Sequence, residues 1–253
     1  MNEYLILCLA AFSAGLIDAI VGGGGLISLP ALFSVYPEQI PATLLGTNKF
    51  NGIWGTATAA VNYSRAVKIN WNVALPASFM AFIFSFIGAF TITHISALFL
   101  RKCLPFILLA LAVYTFKRKN FGHTHIPVFS GLKERYAAFL TGGVIGFYDG
   151  FFGPGTGSFL VFIFVRYFGF DFLSSSAISK IVNVACNTSA LLLFGFSGHI
   201  IWKVGLSMAI FNIAGSVFGS RLAIKNGSGF VRRLFLCIVT LLIIKTFYDA
   251  YLT

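Results

Sequence analysis

The sequence predicts an all-α integral membrane protein built from two homologous repeats, and three observations predict it. Of 253 residues, 58% are hydrophobic and only 10% are charged, a charge density too low to cover the surface of a water-soluble domain. The apolar residues run in blocks of about 17 to 25, and about 20 helical residues at 1.5 Å each cross a hydrocarbon core about 30 Å thick. A shift of 131 residues carries Asp18 onto Asp149, Lys49 onto Lys180, Trp71 onto Trp202, Ser85 onto Ser216, Gly88 onto Gly219 and Arg101 onto Arg232 without a gap. Leucine facing leucine is expected by chance in so apolar a chain; tryptophan, lysine, aspartate and arginine together at one offset mark a duplication.

Eight blocks are long enough for transmembrane segments: 4–21, 43–63, 73–93, 97–116, 136–152, 177–196, 204–224 and 230–251. Two shorter ones, 26–36 and 158–168, each follow a glycine cluster and are too short to cross upright. Each is expected to be a re-entrant limb, half of a broken helix, or an additional crossing completed by its flanks. The one sizeable polar stretch contains Lys117, Arg118, Lys119, Lys133 and Arg135. The expected organisation is a first membrane repeat over 1–116, a basic cytoplasmic loop over 117–135 and a second membrane repeat over 136–253. The N-terminus lacks a basic n-region and its apolar stretch contains Asp18, so it is expected to be a mature span.

Lys+Arg number 18 against Asp+Glu 7, a net charge of +11. In a soluble protein that surplus would suggest nucleic acid; here the basic residues mostly sit between apolar blocks, where they report topology and anionic headgroups. If each half crosses an odd number of times, eleven basic residues fall inside and four, Arg101, Lys102, Lys203 and Lys245, fall outside. Four crossings per half give nine against six. The sharper bias favours inverted repeats in a multi-pass membrane protein. Cys8, Cys103, Cys186 and Cys237 are scattered singly and are expected to be buried apolar residues.

Two constellations carry chemistry. The first is the glycine-rich break after Asp18, with Gly22, Gly23, Gly24 and Gly25, echoed after Asp149 by Gly153, Pro154, Gly155 and Thr156. Unwound backbone at membrane depth survives only when buried in protein or lining a wet cavity. Glycine there exposes N–H groups at the positive start of the next helix, an arrangement suited to an anion, although close helix packing by small residues would also use glycine. The second is Gly46-Thr47-Asn48-Lys49-Phe50-Asn51-Gly52, echoed by Ala177-Ile178-Ser179-Lys180-Ile181-Val182-Asn183. A lysine within a span needs a partner or a water-filled route, unless it snorkels from a helix end. Each lysine follows its aspartate by the same interval, so Asp18 with Lys49 and Asp149 with Lys180 are expected to flank one polar centre. In it Lys49 and Lys180 would attract a small anion. The glycine amides and Thr156 would bind its oxygens, and Asn48, Asn51, Ser179, Asn183 and Asn187 would orient it. Asp18 and Asp149 would neutralise the lysines, carry a coupling proton, or form purely structural ion pairs.

Residues 15–30, the Gly46-Thr47-Asn48-Lys49 motif and Trp71 after a basic loop, followed by a second, degenerate copy, resemble the sulfite exporter TauE/SafE family of membrane transporters. The resemblance covers nearly the whole chain and looks closest to the family's "probable membrane transporter" branch. It implies transport of sulfite, sulfonates or related small organic anions across the cytoplasmic membrane, commonly by export. In the second half the Thr-Asn-Lys motif becomes Ile178-Ser179-Lys180 and the glycine run becomes Gly153-Pro154-Gly155-Thr156, so the halves are expected to contribute unequally.

The alternatives are an anion channel, a non-transporting membrane assembly subunit and an intramembrane enzyme. The sequence has no His-Glu-x-x-His, no Gly-Lys-Ser/Thr phosphate loop and no Gly-x-Ser-x-Gly, so neither an enzyme nor ATP-driven transport is expected, and no cofactor is called for. His123-Thr124-His125 has no carboxylate or cysteine beside it and is expected to be solvated loop, with no metal site. The expected partners are a small anionic substrate and the lipid bilayer, with no nucleic acid; association into a homo-oligomer stays open.

Overall fold

The computed structural model describes residues 2–92 and 126–251. The expected span 97–116, most of the basic loop, Arg101, Lys102, Cys103 and His123-Thr124-His125 lie outside the described residues. Within them the chain forms eight helices and no strand: α1 (Asn2–Val21), α2 (Gly25–Val35), α3 (Pro41–Ala66), α4 (Trp71–Ile92), α5 (Gly131–Phe151), α6 (Thr156–Arg166), α7 (Phe172–Phe196) and α8 (Trp202–Tyr251). The starts of α2 and α6, of α3 and α7, and of α4 and α8 are each 131 residues apart, the interval of the sequence match. The two short apolar blocks are discrete helices of 11 residues.

Among the described residues, four helices are long and apolar enough to cross a membrane: α1, α4, α7 and the Trp202–Val231 part of α8. Eight such segments were expected. Of the others, α3 and α5 have 26 and 21 residues, but α3 carries Thr47, Asn48, Lys49, Asn51 and Thr56, and α5 opens on Lys133, Glu134 and Arg135. The blocks 204–224 and 230–251 fall on two helical stretches of α8 that meet at a kink at Gly227, whose φ of 71° and ψ of −173° are not helical.

The first turn of α5 also takes up residues expected in the basic loop. Glu134 is buried and accepts a hydrogen bond from Asn70 Nδ2 at 2.7 Å, and Arg135 reaches Asn72 Oδ1 at 3.2 Å. These bonds tie the α3–α4 connection to α5. Just before α5, Ile126 N and Val128 N donate to Gly169 O and Phe168 O at 2.7 and 3.0 Å, which fixes the approach to α5 along the turn between α6 and α7. That turn ends at Asp171, whose Oδ1 accepts from Leu173 N and Ser174 N and caps α7.

The halves interlock instead of standing side by side. The most extensive helix contacts join α4 to α5 and α1 to α8, followed by α3 with α8, α4 with α7 and α3 with α7. Each joins one half to the other. Glycines bring these backbones together: a Cβ on Gly15 would lie 2.2 Å from Asn212 O, and one on Gly146, its counterpart, 2.5 Å from Ala81 Cα. Likewise a Cβ on Gly88 would lie 2.2 Å from Phe147 O, and one on Gly219 2.3 Å from Leu16 O. Small residues at such crossings replace the hydrophobic drive that lipid cannot supply. The outer faces carry Leu5, Leu9, Phe79, Phe90, Ile210 and Phe218, all exposed, the surface a protein presents to lipid and not to water.

Candidate functional site

The site is built where the two short helices begin. After α1 the chain turns at Gly22 and Gly23, with φ of 83° and 93°; after α5 it turns at Gly153 and Gly155, with φ of 89° and 85°. Only glycine takes these angles without steric penalty. The two breaks meet: a Cβ on Gly22 would lie 2.3 Å from the carbonyl carbon of Gly157. The unwound backbone is satisfied from both halves, as membrane depth requires. Ser158 Oγ donates to Val21 O at 3.2 Å, Tyr63 Oη to Ala19 O at 2.9 Å and Tyr148 Oη to Pro154 O at 2.6 Å.

Beside this crossing lies a polar cavity. The first break contributes Asp18, Gly23, Gly24 and Gly25, and α2 adds Ser28. The second contributes Asp149, Gly153, Gly155, Thr156 and Gly157. Helix α3 lays Asn48, Lys49, Gly52 and Thr56 along one wall, α7 adds Asn183 and Asn187, and α8 adds Asn212. Both α2 and α6 therefore present their first turns to the cavity, where backbone N–H groups lack intrahelical acceptors.

The ion pairs cross between the halves. Lys49 pairs with Asp149, and Lys180 Nζ lies 3.0 Å from Asp18 Oδ2. The expected pairs, Asp18 with Lys49 and Asp149 with Lys180, are thus exchanged, because the packing of α3 on α7 sets each lysine against the other half's break. The two pairs have different surroundings. Asp18 also accepts from Thr56 Oγ1 at 3.2 Å and from Gly24 N at 3.4 Å, so lysine, hydroxyl and amide hold it together. Among the described residues, the Asp149 side chain is bonded by Lys49 alone.

Of the residues expected in the site, Lys49, Asn48, Gly23, Gly24, Gly25, Gly153, Gly155, Thr156, Asn183, Asn187, Asp18 and Asp149 reach the cavity. Four do not. Lys180 is fully buried against Asp18. Gly22 is taken up by the backbone crossing. Asn51 and Ser179 are buried, with no hydrogen-bond partner for their side chains among the described residues; Asn51 stands about 100° around the helix from Gly52. Sequence reasoning missed Ser28, Thr56 and Asn212, and gave no role to Gly52, the last residue of the lysine motif. Asn48, Gly52 and Thr56 recur every fourth residue, the spacing of one helix face, so helical periodicity from the lysine motif would have found them. Asn212 is the one amide in the apolar block 204–224, a signal of its own in a span.

The family model described as sulfite exporter TauE/SafE matches residues 7–246. The chain is 37% identical over 244 residues to the "Probable membrane transporter protein ORF9" of a Sinorhizobium species, covering 96% of this chain and 92% of that one. It is 32% identical over 249 residues to the "Probable membrane transporter protein YfcA" of Escherichia coli, covering 97% and 90%. A "Probable membrane transporter protein" of Haemophilus influenzae is 33% identical over 248 residues, covering 96% and 94%. No solved structure matches the chain.

Proposed function

The chain belongs to the sulfite exporter TauE/SafE family of membrane transporters, and we propose that it is a secondary transporter exporting a small anion, a sulfite, sulfonate or related organic anion, across the cytoplasmic membrane. The observation that carries this reading is the polar cavity at the meeting point of the two halves, where two helices break and their first turns open onto it. Discontinuous helices between repeats are where secondary transporters hold their substrates. A non-transporting assembly subunit has no need of such a space.

In this reading Lys49 supplies the positive charge, and the helix starts at Gly25 and Gly155 supply backbone N–H groups for the anion's oxygens. Asn48 and Asn183 orient the anion. Each amide oxygen already has a partner: Ser28 Oγ donates to Asn48 Oδ1 at 2.5 Å, and Asn187 Nδ2 donates to Asn183 Oδ1 at 3.0 Å. That leaves the –NH2 group of each residue for the anion. The halves act as inverted repeats whose rocking opens the cavity to either side in turn, and the driving force is the substrate gradient or protons.

The test is a thermal-shift titration of the detergent-purified protein with sulfite, sulfate, methanesulfonate and short carboxylates, followed by uptake into proteoliposomes. A saturable shift and saturable uptake are expected. Lys49→Gln is expected to weaken the apparent affinity at least about tenfold, because a hydrogen bond to a charged group contributes about 1.5–3 kcal/mol. No shift with any anion, or a flux that rises without saturation, would overturn the reading.

A further inference from the structure

We propose that the substrate anion binds by replacing the Asp149 carboxylate on Lys49, and that Asp149 takes up a proton as it is displaced, so that one proton accompanies each univalent anion. This rests on the transporter reading above and adds which carboxylate moves, and with what charge.

The first observation is charge. The charged side chains lining the cavity are Asp18, Lys49 and Asp149, with Lys180 paired to Asp18 from behind. Two carboxylates and two ammonium groups leave no surplus charge for a substrate. An anion entering this site unaccompanied would add one uncompensated negative charge, and an unpaired charge at membrane depth is what such sites avoid. A proton taken up from solvent onto a carboxylate oxygen restores the balance. No other bond forms or breaks, and the lysine keeps its proton throughout.

The second observation is which carboxylate can let go. Asp18 and Asp149 occupy the same position of the two halves, but Asp18 is held by Lys180, Thr56 and Gly24 N. Displacing it would strand two further donors that a neutral acid satisfies less well. In the first half the protein's own carboxylate thus already fills the helix-start site that an anion would use. Asp149 has Lys49 as its one side-chain partner among the described residues, so the loss of a single contact frees both groups. That contact sits against the second break, where a Cβ on Gly153 would lie 3.1 Å from Lys49 Nζ. The ammonium can approach this closely because residue 153 has no side chain. Within the same cavity Asn212 is buried, and among the described residues its amide donates to no partner, leaving it for the incoming oxygens.

The groups facing Asp149 fit this exchange. From α3 comes Lys49. From α7 comes the Cys186 thiol, within electrostatic reach of both members of the pair. Tyr148 is its neighbour on α5, with its hydroxyl committed to Pro154 O. From α4 comes Ser85, whose hydroxyl donates to Cys186 O at 3.0 Å, and from α6 comes Thr156, committed to Gly153 O at 2.7 Å. None of these except Lys49 carries a charge that would hold Asp149 ionised once the lysine turns to substrate.

Methanesulfonate tests this, because it stays singly ionised across neutral pH and any proton counted belongs to the protein. In weakly buffered detergent solution with a pH indicator, the wild-type protein is expected to take up close to one proton per anion bound. Its apparent Kd should rise towards tenfold per pH unit between pH 6 and 8, the linkage slope for one coupled proton. Asp149→Asn is expected to bind methanesulfonate with no proton uptake and equal affinity at both pH values. Wild-type binding without proton uptake would overturn the inference while leaving the transporter reading intact, as would uptake that persists in Asp149→Asn. Absence of anion binding by the wild type would overturn both. If Asp149→Asn does not fold, the wild-type proton count decides alone.

Discussion

The two glycine breaks stand 131 residues apart, carry the same aspartate and receive a lysine from the opposite half, yet they are finished differently. At the first, Asp18 is held by a fully buried lysine, a threonine hydroxyl and a backbone amide. At the second, Asp149 has a lysine that itself lines the cavity. The position of Thr56 in the first half is held by Asn187 in the second, and Asn187 turns its –NH2 to Asn183 and not to Asp149. That replacement removes one of the three donors that close the first carboxylate cluster. A duplicated frame supplies two equivalent positions, and their neighbours decide which is a brace and which is free to exchange.

The comparison breaks first if Lys180 is not a brace. Lys180→Ala removes a fully buried side chain and strips Asp18 of its cation; removing one partner of a buried pair costs about 3–5 kcal/mol. A marked fall in the melting temperature of the purified protein is expected, and an unchanged one would dissolve the distinction between the breaks. Next comes the crossing itself. Gly22→Ala forces a Cβ to 2.3 Å from the Gly157 backbone at a φ of 83°, and the left-handed angle alone costs about 1–2 kcal/mol before the backbones move apart. Gly131→Ala, at a φ of 62° with nothing within 4 Å, isolates the angle from the contact. Gly22→Ala is expected to lower the melting temperature clearly further than Gly131→Ala, and equal effects would mean that the breaks do not need to touch.

The sequence made the breaks legible because four consecutive glycines and two lysines within spans have few physical excuses. It also made legible the equal Asp-to-Lys interval, and Asp18, Lys49 and Asp149 line one cavity. It could not reveal the exchange of partners. An offset relates Asp18 to Asp149 but does not say that α3 packs on α7, and that packing decides which lysine meets which aspartate. The start of α5 was hidden for a different reason. Lys133, Glu134 and Arg135 look like loop in an apolar chain, but Glu134 is buried against Asn70 in the structure, a pairing across 64 residues that no local pattern announces. Asn212 was overlooked because its counterpart at the same offset is Ala81, so a search for repeated polar residues passes it by.

That residue gives a smaller, sharper test of how the halves differ. Asn212 exists on one side of the repeat only, wedged where a Cβ on Gly55 would lie 1.8 Å from its Oδ1. Among the described residues its amide has no hydrogen-bond partner, so Asn212→Ala deletes no internal bond and is expected to leave the melting temperature nearly unchanged. Anion affinity should fall about fivefold, close to the ~1 kcal/mol of one neutral hydrogen bond. A loss of stability without a loss of affinity would make Asn212 a packing residue.

The smallest effect is expected at Gly52, whose counterpart at the same offset is Asn183, and both line the cavity. A Cβ on Gly52 meets nothing within 4 Å, and alanine is favoured over glycine inside a helix by about 1 kcal/mol. Gly52→Ala should therefore hold or slightly raise the melting temperature, while its methyl group, placed in the cavity wall opposite the asparagines, weakens anion binding by roughly twofold, about 0.4 kcal/mol. The two readouts move in opposite directions only if Gly52 is kept for the space it leaves. If affinity is unaffected, the substrate does not reach the α3 wall, and Lys49 must meet it from the side of the second break.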